Sequence, residues 1–425
     1  MEESAGVILG RGFRYRQKLL FAEDCSAADL AARFGTPLFV YSRANLLAQI
    51  EAIQAAFAPV APKICYSVKA NPNLAILREM RGRGLGADVV SGGELRRALR
   101  AGFRPGDIVF AGVGKTDEEI EYAVRAGIFA FTVENPDELV RIDRYARRAG
   151  REAVCCLRLN LDVAVNTHHY VSTAHRRAKF GVALEVAAGL VKKWSVRGSA
   201  RVRGLHFHLG SGIEEPSFYL KALARVKRFC RSTGFHPEIL DIGGGFGIPY
   251  RGADACAGID VFGRAVCGFL EGFRVHTLVL EPGRFLVGNA GMLLTRVLYV
   301  KTTGETTFVI TDAGMNDLVR PAFYGSYHEI LPVAARRGRP FTVDIVGPIC
   351  QSGDFFARAR RLPCKVNPGD ILAIASAGAY CASMASTYNS RRRPCEVLVD
   401  GAQATVIRKR DSYEDLWRNE RLAGR

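Results

Sequence analysis

From residue 63 to residue 283 the chain repeats one pattern: a short apolar run, a turn, then a longer stretch with apolar residues at every third or fourth position. The apolar runs are Lys63 to Ala70, Gly86 to Ser91, Asp107 to Ala111, Ile128 to Glu134, Ala153 to Asn160, Gly204 to Leu209, Glu238 to Ile242 and His276 to Glu281. Stretches between them, such as Glu94 to Ala101, Asp117 to Ala126 and Pro136 to Ala149, carry helical spacing. Parallel strands covered on both faces read as continuous apolar runs, so eight such units predict a closed (β/α) barrel. Barrels of this kind carry their functional residues at the C-terminal ends of the strands. Lys69, Asp88, Asn160, His208, Gly243 and Glu281 stand at those ends, a concentration of polar and glycine residues that stability alone does not explain.

Beyond about residue 286 the period changes. Segments rich in β-formers alternate with Gly and Pro turns, including Thr307 to Ile310, Thr342 to Val346, Asp370 to Ala375 and Pro394 to Val399. They predict a second, all-β domain, which the strand-like Pro37 to Tyr41 is expected to join. The expected fold is therefore α/β: an eight-stranded (β/α) barrel over 43–286, a C-terminal β domain over 287–425, and an N-terminal segment, 1–42, packing with the β domain.

Composition narrows the class. Of 425 residues 48% are hydrophobic and 24% charged, the balance of a globular enzyme. No apolar run approaches the roughly 18 residues of a membrane span, and Met1 to Lys18 has no continuous apolar segment of the secretory type. Eleven cysteines without a CxxC pair indicate neither a disulfide framework nor a zinc site, so a reducing cytoplasm is expected and Cys155-Cys156 reads as core. The formal charge of +17 raises the question of nucleic acid. Its clusters (Arg176-Arg177, Arg336-Arg337, Arg358 to Arg361, Arg391 to Arg393) are short, scattered and without interleaved aromatics, which argues against it. A positive field that attracts small anionic substrates is the simpler reading.

Four motifs carry candidate chemistry. Lys69 follows the apolar run of Lys63 to Val68 and precedes the Asn71-Pro72 turn, so it is either an internal ion-pair partner or a Schiff-base nucleophile. Asp241-Ile242-Gly243-Gly244-Gly245 lets backbone N–H groups converge on a phosphate, although it lacks dinucleotide spacing and could be a plain tight turn. In His206-Phe207-His208-Leu209-Gly210-Ser211, alternation sends both histidines to one side; such an imidazole is a satisfied core residue or lies flat on an aromatic cofactor. Glu281-Pro282-Gly283-Arg284 places a carboxylate where it could hold a pyridinium protonated and an arginine where it could bind a carboxylate or phosphate, or the two could form an internal pair.

Together with Ser91-Gly92-Gly93-Glu94, Lys179-Phe180-Gly181, Asp312 to Leu318, Arg320-Pro321-Ala322, Gly347-Pro348-Ile349-Cys350, Gly378-Ala379-Tyr380 and Tyr388 to Arg391, these motifs resemble the barrel-type (fold type III) pyridoxal-phosphate decarboxylases. The resemblance spans roughly residues 30 to 405 and is greatest to the branch that converts meso-2,6-diaminopimelate to L-lysine and carbon dioxide. It implies pyridoxal 5'-phosphate as cofactor, joined to Lys69, with Asp88 beside it, His208 stacked on the ring and Glu281 facing the ring nitrogen. Ser211, Gly243, Gly244, Gly245 and Tyr380 would hold the phosphate. Arg284, Arg320 and Tyr324, with Tyr380 nearby, would grip the distal carboxylate of an amino-acid substrate. Cys350 would return a proton after carbon dioxide leaves, reaching the site from the second subunit of a homodimer with shared active sites; no nucleic acid, membrane or metal is implied.

One position departs from the pattern. That branch has glutamate after the cysteine, facing the substrate's distal ammonium, whereas this chain has Gln351. The amide keeps an acceptor and loses the charge, worth about 1–3 kcal/mol in a desolvated site. A decarboxylase for carboxynorspermidine or another amino acid would share every cofactor residue and differ around Arg320, Tyr324 and Gln351. A non-catalytic relative would be expected to lose Lys69 or Cys350, and both are present; the cysteine motif also argues against a racemase.

Overall fold

Eight parallel strands close into a barrel in chain order: Lys63–Ser67, Gly86–Val89, Ile108–Phe110, Ala130–Val133, Ala153–Arg158, Ala200–His206, Ile239–Asp241 and Thr277–Leu280, the last pairing with the first. The structure, a computed structural model, describes residues 9–163, 179–196, 198–252, 254, 256–336 and 338–423. Of the loop from Asn166 to Lys179, whose closure over a ligand the sequence leaves open, only Lys179 is among them.

Local chemistry sets where the helices between these strands begin. Thr116 caps Asp117–Ala126 in a capping box with Glu119, Asn135 caps Pro136–Arg148 with proline in the first turn, and Ser91 accepts from the Glu94 N–H to start Gly92–Arg100. The barrel interior is filled by Cys65, Val109, Ala130, Cys156, Ile239 and Val279. Burial pushes the Cys65 and Cys156 thiols well up, so both act as small apolar residues.

Every barrel strand ends before its apolar run does, and the first and sixth fall short by the most. The first strand stops at Ser67, and Lys69 sits on the single 3₁₀ turn Val68–Ala70. The sixth stops at His206, so His208 lies beyond it and strand alternation no longer decides where that ring points.

Residues 49–248 with 255–286 form the barrel unit; the chain up to Ala48, Pro249–Asp254 and the chain from Val287 onward form the second unit. This division sets 43–48 and Pro249–Asp254 with the second unit, beside the expected boundaries at 42/43 and 286/287. The second unit is built on a sheet ordered Phe355–Leu362, Phe341–Val346, Thr306–Thr311, Gly291–Thr303, Leu38–Ser42, Cys395–Asp400 and Gln403–Arg408. The N-terminal strand Leu38–Ser42 does join it, antiparallel to Gly291–Thr303 and parallel to Cys395–Asp400. Leu38, Val40, Met292, Leu294, Ala373 and Val397 pack with Leu20 and Leu30 into its core. Among the described residues no helix is long and apolar enough to cross a membrane.

Candidate active site

Strand register assembles the barrel's polar residues. Ser67 pairs with Asp88, Arg158 with His206, and His206 with Asp241, so residues scattered over some 170 positions of sequence come level on adjacent strands. Glu281 follows the eighth strand, which lies between those of Asp241 and Lys63. His206 Nε2 stands 3.3 Å from Glu281 Oε2, and both side chains are buried. Asp241 completes a close group with them, and its Oδ1 accepts from the Gly243 N–H at 2.8 Å.

Three buried carboxylates thus share this end of the barrel, and their surroundings divide them. Burial, reinforced by the charge of Glu281, pushes Asp241 well up and Asp88 up. Burial would raise Glu281 as well, but His206 and Lys69 together hold it below the usual carboxylate range. Glu281 is therefore held ionised, and Asp241 is the carboxylate pushed furthest toward its neutral form. The Glu281 Oε1 is buried and has no hydrogen-bond partner among the described residues.

Lys69 Nζ pairs with Asp88 Oδ2 at 3.2 Å and its side chain is 37% exposed, so within the protein it is an ion-pair partner at the mouth of the barrel. Asp88 is fully buried and also accepts from Ser67 Oγ at 2.7 Å. Glu94, which accepts from the Val90 N–H, is pushed up to about 7 by burial.

The glycine loop is shaped by close approach. A Cβ on Gly244 would lie 1.9 Å from the Glu281 carbonyl oxygen and one on Gly245 would lie 2.1 Å from that of Gly210, while Gly243 and Gly245 have positive φ. Tyr219 Oη donates to the Gly244 carbonyl at 2.7 Å and stacks within the Phe246–Phe262 aromatic group, anchoring the loop from below. The Gly243 N–H is taken by Asp241 and the Gly244 N–H reaches His208 Nδ1 at 3.3 Å; the Gly245 N–H has no such partner among the described residues. Burial, with Arg158 and Lys69 adding to it, pushes His208 well down, so its imidazole is neutral and accepts that N–H. Ser211 Oγ accepts from Arg284 Nε at 3.1 Å and Nη2 at 2.9 Å.

In the second unit, Asp354 fixes the loop that carries the cysteine. Its carboxylate accepts from the Met315 and Ile349 N–H groups at 2.6 and 2.7 Å, and a Cβ on Gly347 would meet it at 2.4 Å. The loop turns Cys350 and Gln351 outward, both exposed, with the Cys350 N–H held by Asn389 Oδ1 at 3.0 Å. Arg320 is buried at the start of the short helix Arg320–Tyr324, and Tyr324 is half-buried with its ring edge-on to Phe323. Tyr380 has a left-handed backbone (φ 58) just after Gly378, where a Cβ would lie 1.7 Å from the Val287 carbonyl oxygen.

The structure thus brings together Lys69 with Asp88, and Ser211 with Arg284, and leads from His208 through the glycine loop to Glu281. Sequence reasoning missed the roles of His206 and Asp241 as partners around Glu281, and the buried Arg158–Glu134 pair at 2.7 Å behind His208's electrostatics. The available signal was a charged or polar residue inside an apolar strand, as in Ala153–Arg158.

A lysine on a closed barrel, a glycine loop and a buried, half-satisfied carboxylate define the class. Residues 43–288 match the family model described as the pyridoxal-dependent decarboxylase, pyridoxal binding domain. The diaminopimelate decarboxylases of Neisseria meningitidis serogroup A and Pseudomonas aeruginosa are 44% and 43% identical to this chain, over 94% and 96% of it and 98% and 99% of their own lengths. The crystal structure of diaminopimelate decarboxylase from M. jannaschii in co-complex with L-lysine superimposes with a TM-score of 0.92 at 36% identity, covering 97% of this chain and 98% of that one. The chain belongs to the diaminopimelate decarboxylase family of pyridoxal-dependent decarboxylases.

Its residues fit the cofactor of that family. The Glu281 Oε1, without a hydrogen-bond partner among the described residues, suits a protonated ring nitrogen, the neutral His208 suits an aromatic face, and the Gly245 N–H, also without a partner among the described residues, suits an approaching phosphate.

Proposed function

We propose that this chain is a cytoplasmic, homodimeric enzyme that decarboxylates meso-2,6-diaminopimelate to L-lysine with pyridoxal 5'-phosphate. The observation that carries it is the buried Glu281 carboxylate, ionised beside His206 with one oxygen unpartnered among the described residues, just beyond the strand next to the one that leads to Lys69. When bound, the cofactor supplies an electron sink for the carbanion left by carbon dioxide.

The protein's share is position and protonation. Lys69 would hold the cofactor covalently; in the free protein Asp88 pairs with its ammonium and orients it. Glu281 would keep a proton on the ring nitrogen, and His208 would cover the ring. Ser211, Gly243, Gly244, Gly245 and Tyr380 bind the phosphate. Arg284, Arg320 and Tyr324 select a substrate whose far end is a carboxylate, and Gln351 accepts from its ammonium. Cys350, exposed on its loop, returns the proton and serves the site of the second subunit.

Product analysis tests the reading. Purified enzyme supplied with cofactor and a panel of amino acids should release L-lysine and carbon dioxide from meso-diaminopimelate, and borohydride should fix the cofactor on Lys69. Consumption of a different amino acid with no lysine formed, or label on another lysine, would overturn it.

A further inference from the structure

Arg320 is 5% exposed, and among the described residues it forms no ion pair. A buried guanidinium without a carboxylate is costly unless a ligand supplies one. The chain holds it in place with neutral groups. The helix Arg320–Tyr324 ends on Gly325 at φ 61, and that left-handed turn folds Ser326 and His328 back over the arginine. Ser326 Oγ accepts from Nη2 at 3.3 Å and His328 Nε2 lies 2.8 Å from Nη1. His328 is fully buried, and its Nδ1 is 2.8 Å from the Ala375 carbonyl oxygen. A carbonyl can only accept, so Nδ1 carries the hydrogen and Nε2 offers its lone pair to the arginine. The partners therefore fix the tautomer.

The histidine is itself locked. Arg360 Nη1 donates to the His328 carbonyl at 2.9 Å, with its guanidinium 4.1 Å above the Tyr327 ring. Tyr250 stands edge-on to the imidazole at 5.4 Å and beneath the Arg320 guanidinium at 4.8 Å. Held on one side by His328 and Ser326 and on its face by Tyr250, Arg320 retains Nε–H and one hydrogen on each of Nη1 and Nη2 without a described partner. That is the fork a carboxylate takes bidentately.

We propose that His328 is a positioning residue for substrate selection: by accepting from Arg320 Nη1 while tied to Ala375, it sets the guanidinium plane in which a substrate's distal carboxylate is recognised. This rests on the reading of Arg320 as a carboxylate-binding residue, and the test separates the two. The loaded enzyme is titrated calorimetrically with L-lysine and with cadaverine, which is lysine with hydrogen in place of the carboxylate. His328→Leu removes the acceptor, His328→Gln keeps an amide oxygen near the position of Nε2, and Arg320→Leu removes the cation.

Wild type should prefer lysine. His328→Leu should weaken lysine about tenfold, equivalent to about 1.4 kcal/mol, and leave cadaverine within about twofold. His328→Gln should restore most of the loss, and KM for diaminopimelate should rise while kcat changes far less. If Arg320→Leu weakens lysine selectively but neither histidine variant does, the positioning role fails and the arginine reading stands. If Arg320→Leu leaves the lysine-to-cadaverine preference unchanged, both fail. Equal loss of both ligands in His328→Leu, unrelieved by His328→Gln, would make the residue merely structural and also overturn the proposal.

Discussion

His206→Leu is the most direct probe of how the barrel holds a buried charge. At 3.3 Å, a fully charged pair at an effective dielectric near 20 would attract by about 5 kcal/mol, an upper bound before desolvation is counted. A hydrogen bond to a charged group contributes a net of roughly 1.5–3 kcal/mol. Removing one partner of a buried pair costs about 3–5 kcal/mol, because the other is stranded. His206→Leu should therefore destabilise the cofactor-free protein by about 3 kcal/mol, whereas the same change made on Glu281→Gln should cost about 1 kcal/mol, a coupling of about 2 kcal/mol. Urea unfolding of the four proteins of the cycle measures it. The pH arm has a definite sign. A carboxylate held low in the folded state adds stability above its unfolded pKa, and that stability is lost as pH falls through the folded value. The destabilisation caused by His206→Leu should thus be full at neutral pH and shrink as pH falls below the unfolded carboxylate pKa. Additivity within about 0.5 kcal/mol, with a destabilisation that does not change with pH, would refute the claim that His206 keeps Glu281 ionised.

Three further outcomes are expected, the first two from the proposed function and the third from the structure. If the chain forms the proposed homodimer with shared sites, proteins inactivated by Lys69→Ala and by Cys350→Ala should regain activity on subunit exchange, since one site of each mixed dimer would be intact; proven exchange without recovery would place both residues in one subunit's site. Gln351→Glu should lower KM for diaminopimelate by up to roughly tenfold, about 1.4 kcal/mol, and do little for substrates without a distal ammonium; an unchanged KM would remove Gln351 from substrate recognition. Asp317 is buried and pushed up to about 7, so its contribution to stability is present at low pH and lost as pH rises from its unfolded pKa toward 7. That loss is at most about 4 kcal/mol. Asp317→Asn should flatten the stability of the protein across that window, and equal slopes for the two proteins would sink the assignment.

Every barrel strand was legible because each is an apolar run bounded by turn residues, a signal that survives without tertiary information. The strand Phe355–Leu362 was not, since Arg358, Arg360 and Arg361 make it read as a basic cluster. In the fold Arg358 lies 4.4 Å over Phe355 and Arg360 lies 4.1 Å over Tyr327, so the stems and rings of these residues supply the apolar surface that the one-letter pattern hides. Gly291–Thr303 escaped for a different reason. It is long enough to pair with Leu38–Ser42, Ile371–Ile374 and Thr306–Thr311 in turn, and no local pattern announces partners so far away. Within the site, Lys69 and Glu281 were recognisable by their place at strand ends, but the protonation of the carboxylates was not.

The carboxylates show why. Asp88, Asp241 and Glu281 are all acidic, all buried, and all at or just beyond the end of an apolar run, so a sequence ranks them equally. What separates them is which cation each meets, and that is decided by strand order and register. Asp88 meets Lys69 across one strand pairing; Asp241, though level with His206, ties its Oδ1 to the Gly243 N–H; Glu281 takes the His206 Nε2, 75 residues away in the chain. Burial first, and the charge of Glu281 second, push Asp88 and Asp241 up, while the carboxylate that meets the histidine is held low. Asp241 then has a use as a neutral or shared acceptor: it receives the Gly243 N–H and so ties the glycine loop to the same group that sets the charge on Glu281. The barrel thereby ties the glycine loop and the Glu281 carboxylate into one buried group through Asp241 and His206.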